Sequence, residues 1–274
     1  MTEAKHTITK QWQILNGTTI KIIAMVLMVL DHIHQMYAAD GAPLWLTMLG
    51  RPVFPLFLFI AADSFFYTKN RVAYMKRLLL ASWGMTVLTA LLSILLPNPD
   101  VVLMNNAFST FFVAGVYVQA WDWLVRGIQE RKLTLIVKSL VAGLLPILCA
   151  APLLVVGGLT INAQIPFVLI RILAFVSLLL PSIMTVEGGP IMVLLGVLFY
   201  VFRKRRVLQI FILLLISGAV FILNRGGIQW LMCGAAIPML LYNGEKGAGR
   251  KQLFYIFYPA HIVLLYVCAT IFPI

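Results

Sequence analysis

Charge is what this chain has little of. Only 11% of its 274 residues are Asp, Glu, Lys or Arg, and nine acidic residues face 21 basic ones. A soluble domain carries charge on about a quarter of its residues, so water is not the main solvent here. Long polar loops, internal repeats and low-complexity segments are also missing, which excludes a solenoid and leaves no room for a soluble domain between the apolar segments. Cysteine is scarce: Cys149, Cys233 and Cys268 each lie in an apolar segment, without metal-ligand spacing and without a companion close in sequence. They read as small core residues, not as a disulfide framework or a metal site.

What remains is apolar: 62% of residues are hydrophobic and the mean hydropathy is +0.98. Apolar stretches of about 17 to 25 residues, each long enough to cross a bilayer as a helix, recur from Thr18 to Phe272. Lipid gives backbone groups no partners, and runs such as Leu208 to Leu215 do not alternate as barrel strands do, so the stretches are helices. The fold class is all-α, a polytopic transmembrane helical bundle of about nine to ten membrane segments. Spans are expected near 18–37, 44–67, 78–96, 107–124, 133–156, 189–202, 207–223, 227–242 and 252–272. The stretch 165–186, with Pro166, Pro181 and a mid-segment Arg171, reads as a broken or re-entrant piece. Residues 1–274 form one integral membrane domain, with 1–17 as a cytoplasmic amino-terminal segment.

The net charge of +12 would indicate nucleic acid in a soluble protein. Here the basic residues sit in short loops, where they orient the chain and attract anionic lipid headgroups, so membrane lipids and not nucleic acid are the expected partners. Lys69, Arg71, Lys76 and Arg77 mark one side of the membrane, and Arg126, Arg131 and Lys132 mark it again two spans later. Loops 39–43 and 97–106 contain no Lys or Arg. The amino terminus and the basic loops are therefore placed in the cytoplasm. Lys5, Lys10 and Lys21 before an apolar run imitate a signal peptide, but Asp31 and His32 interrupt that run, so it reads as a retained first span.

Ionisable residues inside a span cost several kcal/mol and are kept mainly where they line a pathway or a reaction site. Asp31-His32 is the foremost such pair. Lys21 lies eleven positions before His32, almost three helical turns, so the two share a face about 16 Å apart that can hold a ligand lengthwise. Lys21 is either an interface lysine with a snorkelling stem or the anchor of an anionic group. Arg51, between Gly50 and Pro52, either satisfies carbonyls freed by the broken backbone or is the counter-ion of Asp31. Asn105 and Asn106 open the fourth span, as caps or as amides turned to the site. Asp63 is placed to meet Lys69 or Arg71. His34 is unremarkable near the interface, and His261 taken alone reads as a satisfied core histidine.

Several segments together resemble the TraX family of F-pilin acetylase-like membrane proteins. They are Lys21-Ile-Ile-Ala-Met-Val-Leu-Met-Val-Leu-Asp31-His32, Gly50-Arg51-Pro-Val-Phe-Pro55-Leu-Phe-Leu-Phe59, Asn106-Ala-Phe-Ser-Thr-Phe111, Tyr242-Asn243-Gly244 and Phe254-Tyr-Ile-Phe-Tyr-Pro-Ala-His261. Each is short, and their order and spacing carry the likeness. It implies a multi-pass protein of the bacterial inner membrane that transfers an acetyl group from cytoplasmic acetyl-CoA to the amino terminus of a pilin-type acceptor. The basic-x10-His spacing is similar to that of the wider membrane acyltransferases. In this picture Lys21, Lys69, Arg71 and Tyr258 hold the acetyl-CoA donor, with no metal cofactor. His32 is the general base, Asp31 sets its tautomer, Arg51 or Asn106 stabilises charge on the thioester oxygen, and His261 joins the catalytic group. One place departs from the family pattern: where an Asp-Tyr-Gly type element is expected, the chain reads Glu187-Gly188-Gly189-Pro190. The competing readings are a proton-coupled transporter or flippase that uses Asp31, His32 and Arg51 as its pathway, and a non-catalytic partner in envelope assembly. No oligomeric state is specified by the sequence.

Overall fold

A computed structural model describes residues 12–159, 166–248 and 251–272. The elements are α1 (Gly17–Tyr37), α2 (Trp45–Gly50), α3 (Val53–Phe66), α4 (Arg71–Leu95), α5 (Ala107–Gln129), α6 (Leu133–Leu148), α7 (Ala151–Leu159) and α8 (Phe167–Leu178). They continue with α9 (Gly189–Val201), α10 (Arg206–Leu223), a 3-10 helix (Gln229–Ala235), α11 (Ala236–Leu241) and α12 (Lys251–Ile271). Among the described residues there is no strand, only an isolated parallel bridge between Leu15 and Tyr242. Lys5 and Lys10 of the segment read as cytoplasmic lie outside the described residues, as do residue 165 of the broken stretch and Arg250 of the last basic loop.

Local chemistry sets the helix starts. Three asparagines cap their helices by accepting a backbone N–H three residues on: Asn16 from Thr19, Asn70 from Ala73 and Asn106 from Ser109. Each supplies an acceptor to a donor that the first turn leaves unpaired. Pro166 precedes α8, and Pro190 sits in the first turn of α9, where its missing N–H costs nothing.

Among the described residues, six helical segments are long and apolar enough to cross a membrane: Gly17–Tyr37, Trp45–Phe66, Arg71–Leu95, Leu133–Gly158, Arg206–Leu223 and Leu253–Ile271. Length and composition thus support six of the expected nine to ten segments. Helix α5 has the length but not the hydropathy, and Val168–Leu178, Gly189–Val201 and Gln229–Leu241 are apolar but short. A 12-residue helix such as α8 extends only about 18 Å. Leu80, Ile94, Leu95, Val207 and Leu223 lie more than 60% exposed on the long helices. In a membrane protein these face lipid, where an apolar surface has no reason to hide.

The chain divides into two compact units, Met1–Ile60 with Lys204–Leu265, and Ala61–Arg203 with Tyr266–Ile274. In the first unit α1 buries one stripe at i, i+4 spacing: Ile20, Ala24, Met28, His32 and Met36. Its amino-terminal end is fastened by the segment after α11. Leu15 N–H donates to Leu241 O (2.9 Å), Asn243 N–H to Leu15 O (2.8 Å) and Gly17 N–H to Glu245 O (2.7 Å), while Thr18 Oγ1 donates to Ala248 O (2.7 Å). Gly244 takes a positive φ of 86° to turn this segment back, which glycine does without strain. The Tyr242-Asn243-Gly244 motif thus fixes the axial position of α1.

In the second unit α5 packs against α4, α6 and α9. Asn106 Nδ2 donates to Ser82 O (3.1 Å) and Thr86 Oγ1 (3.0 Å), tying the start of α5 to α4. Thr110 Oγ1 donates to the backbone oxygen of Glu187 (2.9 Å), so the place that departs from the family pattern is held through its main chain.

Candidate functional site

The stripe position of His32 is the origin of the site. Consecutive helical residues project about 100° apart, so Asp31 and His32 meet different neighbours although they adjoin in sequence. His32, 4% exposed, meets α12: its Nδ1 lies 2.6 Å from Nε2 of His261, and the two rings stack with centroids 4.8 Å apart at 22°. His261, 7% exposed, is stacked on its other face by Phe257 at 4.8 Å and 14°, and Tyr258 meets it edge-on at 5.9 Å. Nδ1 of His261 lies 2.7 Å from the backbone oxygen of Phe257.

These contacts determine the protons of the neutral pair. A carbonyl only accepts, so His261 donates from Nδ1 to Phe257. Its Nε2 then bears the lone pair and accepts, which requires His32 to donate from Nδ1. The lone pair of His32 is therefore on Nε2. The expectation that Asp31 sets the tautomer of His32 is corrected: His261 holds that position.

Asp31 instead meets α2 and the turn after it. Thr47 Oγ1 donates to Asp31 Oδ1 (2.5 Å), and Nη2 of Arg51 forms an ion pair with the same oxygen. Of the two readings of Arg51, the counter-ion is realised, and a structural contact accompanies it. Nε donates to Thr47 O (3.1 Å), Nη2 to Thr47 Oγ1 (2.6 Å) and Nη1 to Gln229 Oε1 (3.2 Å). Gly50 makes the approach of Asp31 possible, because a Cβ there would overlap the Asp31 side chain. The pair is partly exposed, with side-chain values of 25% for Arg51 and 23% for Asp31. A guanidinium with four committed donors and a quarter of its surface open is a rigid but reachable charge.

Lys21, on the same helix, places Nζ 5.0 Å over the ring of Phe254. The amino-terminal ends of α1 and α12 thus meet through a cation–π contact, and their middles through the histidine pair.

The other predicted site residues belong to the second unit. Arg71 donates from Nη1 to Asp122 Oδ2 (2.7 Å) and Gln119 Oε1 (3.2 Å), and from Nη2 to the Tyr200 hydroxyl (3.1 Å), which itself donates to Asp122 Oδ2 (2.6 Å). It forms an ion pair with Asp122. Lys69 is exposed. Asn106 realises the capping alternative, with its oxygen on Ser109 N–H and its amide on Ser82 and Thr86. Thr47 and Gln229 are the site residues that sequence reasoning missed. Thr47 precedes Arg51 by one helical turn, which is the only signal it carries; Gln229 is a lone amide at the head of an apolar run.

Among the described residues, six membrane-length apolar helices that carry an ion pair and a histidine pair define a polytopic α-helical membrane protein. The chain matches the TraX protein family over residues 16–269 and belongs to that family. It is also 26% identical to the probable fimbrial assembly protein FimC, serogroup H1, of Dichelobacter nodosus, over 90% of this chain and 92% of that one. No solved structure matches it.

Proposed function

We propose that this protein is a membrane-embedded acetyltransferase that moves an acetyl group from cytoplasmic acetyl-CoA to an amine or hydroxyl of a pilin-type acceptor, with the acceptor's amino terminus the foremost candidate. The observation that carries the reading is the buried His32–His261 pair, whose hydrogen bonds leave the basic lone pair on Nε2 of His32. Family membership and the fimbrial assembly relative support a role with pili.

In the reaction, Nε2 of His32 takes a proton from the acceptor N–H or O–H as the acceptor lone pair attacks the thioester carbon. The carbonyl electron pair moves onto oxygen beside the Arg51 guanidinium. Collapse re-forms the carbonyl and breaks the C–S bond, and the departing thiolate takes the proton from Nε2, giving acetylated acceptor and free CoA. His261 keeps His32 in the tautomer this requires. Asp31 and Thr47 hold Arg51 in place. The donor lies along α1 with its phosphates near Lys21, about 16 Å from His32. Sidedness follows the basic loops: the amino terminus faces the cytoplasm of an inner membrane, and CoA enters from that side.

Incubating the purified protein in nanodiscs with radiolabelled acetyl-CoA and a membrane fraction from cells lacking it tests the reading. The expected result is label in a protein of pilin size, lost with a folded His32→Ala variant. Absence of transfer by well-folded wild-type protein overturns the acetyltransferase and shifts the weight to a transport pathway through the same residues.

A further inference from the structure

Within the acetyltransferase reading, on which this rests, we infer that Gln229 is a further catalytic residue, whose side-chain amide holds the thioester oxygen as it becomes negative. Arginine only donates, so the oxygen of Gln229 must be the atom facing Nη1 of Arg51 at 3.2 Å. That fixes the amide: Nε2 points away from Arg51, and its contact is Met232 Sδ at 3.8 Å, a thioether and a weak acceptor. Both Nε2 hydrogens thus remain without a strong acceptor. Arg51 has five N–H groups, four of which go to Thr47 O, Thr47 Oγ1, Asp31 and Gln229. The fifth, on Nη1, is left. The Nη1–Oε1 hydrogen bond ties these two donor-bearing side chains together, and the inference gives the reacting oxygen a bond from each.

The placement of Gln229 is rigid. It opens the 3-10 helix, in which Met232 and Ala235 are fully buried. Gly234 brings that helix against the turn after Arg51, since a Cβ on Gly234 would sit 3.0 Å from Pro52 Cγ. Asp31 offsets the Arg51 charge, so a second, neutral donor adds stabilisation to a developing oxyanion without a further buried charge that needs a partner. As the acceptor attacks and its proton passes to His32, the pair of electrons leaving the C=O bond settles on the oxygen between Nη1 and Nε2, and returns when the C–S bond breaks.

Gln229→Glu separates this role from a structural one. Glutamate keeps an oxygen for Nη1 of Arg51 but replaces the donor with an oxygen that repels the oxyanion. With radiolabelled acetyl-CoA, the expected result is kcat lowered by about 100-fold or more with the KM for acetyl-CoA and the melting temperature nearly unchanged. Gln229→Leu, which removes the donor without adding charge but also removes the oxygen on Nη1 of Arg51, is expected to show the same loss; if the glutamate variant does not fold, retained kcat in a folded leucine variant overturns the inference. Wild-type kcat in a folded glutamate or leucine variant, beside an active wild type, overturns this inference and leaves the acetyltransferase standing. No transfer by wild type overturns both.

Discussion

Both units bury an ion pair of almost the same make. In one, Arg51 faces Asp31 with Gln229 on Nη1; in the other, Arg71 faces Asp122 with Gln119 on Nη1, and the side-chain exposures are 25% and 23% against 26% and 24%. The fourth member differs. In the second unit it is the Tyr200 hydroxyl, which donates to Asp122 and accepts from Arg71, tying α4, α5 and α9 together. In the first unit it is Thr47, and one residue along α1 from Asp31 stands a histidine pair with a defined tautomer. A partly buried ion pair alone is therefore poor grounds for a site, because one of these two is accounted for as a latch. A base beside the pair is what separates them.

The largest expected effect falls on that base. His32→Ala lowers acetyl transfer by about 1,000-fold, within the range for a positioned general base. Tyr200→Phe is the matched change in the second unit. It leaves transfer unaltered and removes two hydrogen bonds, one donated to Asp122 and one accepted from Arg71, costing about 1.5–3 kcal/mol, seen as a lower melting temperature. Equal losses of activity from the two would erase the distinction between the units.

Breaking each ion pair comes next. Arg51→Met lowers transfer by about 100-fold and, by leaving Asp31 unpaired, destabilises the protein by about 1–2 kcal/mol after allowance for its exposure. Asp122→Asn carries a similar stability cost with transfer retained. Activity assays and thermal melts on the two variants check both halves. Gly50→Ala belongs with Arg51→Met, since the added methyl overlaps Asp31 and displaces the carboxylate from Arg51 and Thr47.

How much of this was legible in sequence follows from what kind of group each residue is. Asp31, His32 and Arg51 announce themselves because a charge inside an apolar run needs a reason, and the pairing of Asp31 with Arg51 was one of two readings their positions allowed. The partner of His32 was not legible: adjacency drew attention to Asp31, while helix geometry turned that side chain elsewhere and brought His261 from 229 residues away. Thr47 and Gln229 were silent because a hydroxyl or an amide in an apolar helix is ordinary and acquires meaning only from its neighbour. The all-helical fold followed from composition. The number of spans is less directly legible, since an apolar run that folds as a helix of 13 residues, such as α9, is shorter than the roughly 20 residues that cross a bilayer.

Donor binding is a smaller effect and asks whether the first unit holds more than a base. Lys21→Ala is expected to weaken acetyl-CoA binding about tenfold by calorimetry, equivalent to about 1.4 kcal/mol. His32→Ala is expected to leave binding unchanged. Lys21 sits over Phe254, and losing the ammonium also loses that cation–π contact, so Lys21→Arg is the control that keeps both charge and stacking. Full binding by Lys21→Ala would confine the role of α1 to its histidine.

The smallest expected effect is the sharpest test of the comparison. Gln119 and Gln229 present the same oxygen to the same arginine nitrogen at the same 3.2 Å, and so have the same structural worth. If the amides act only through the arginines they hold, Gln119→Glu and Gln229→Glu behave alike, and each strengthens its contact by setting a carboxylate against a guanidinium. If the amide of Gln229 also meets a reacting oxygen, the two diverge. Gln119→Glu is expected to leave kcat within about twofold of wild type, a change of only about 0.4 kcal/mol in barrier. A loss of activity from Gln119→Glu as large as that from Gln229→Glu would mean that the two ion pairs do the same job, and the first unit would lose its claim to be the seat of chemistry.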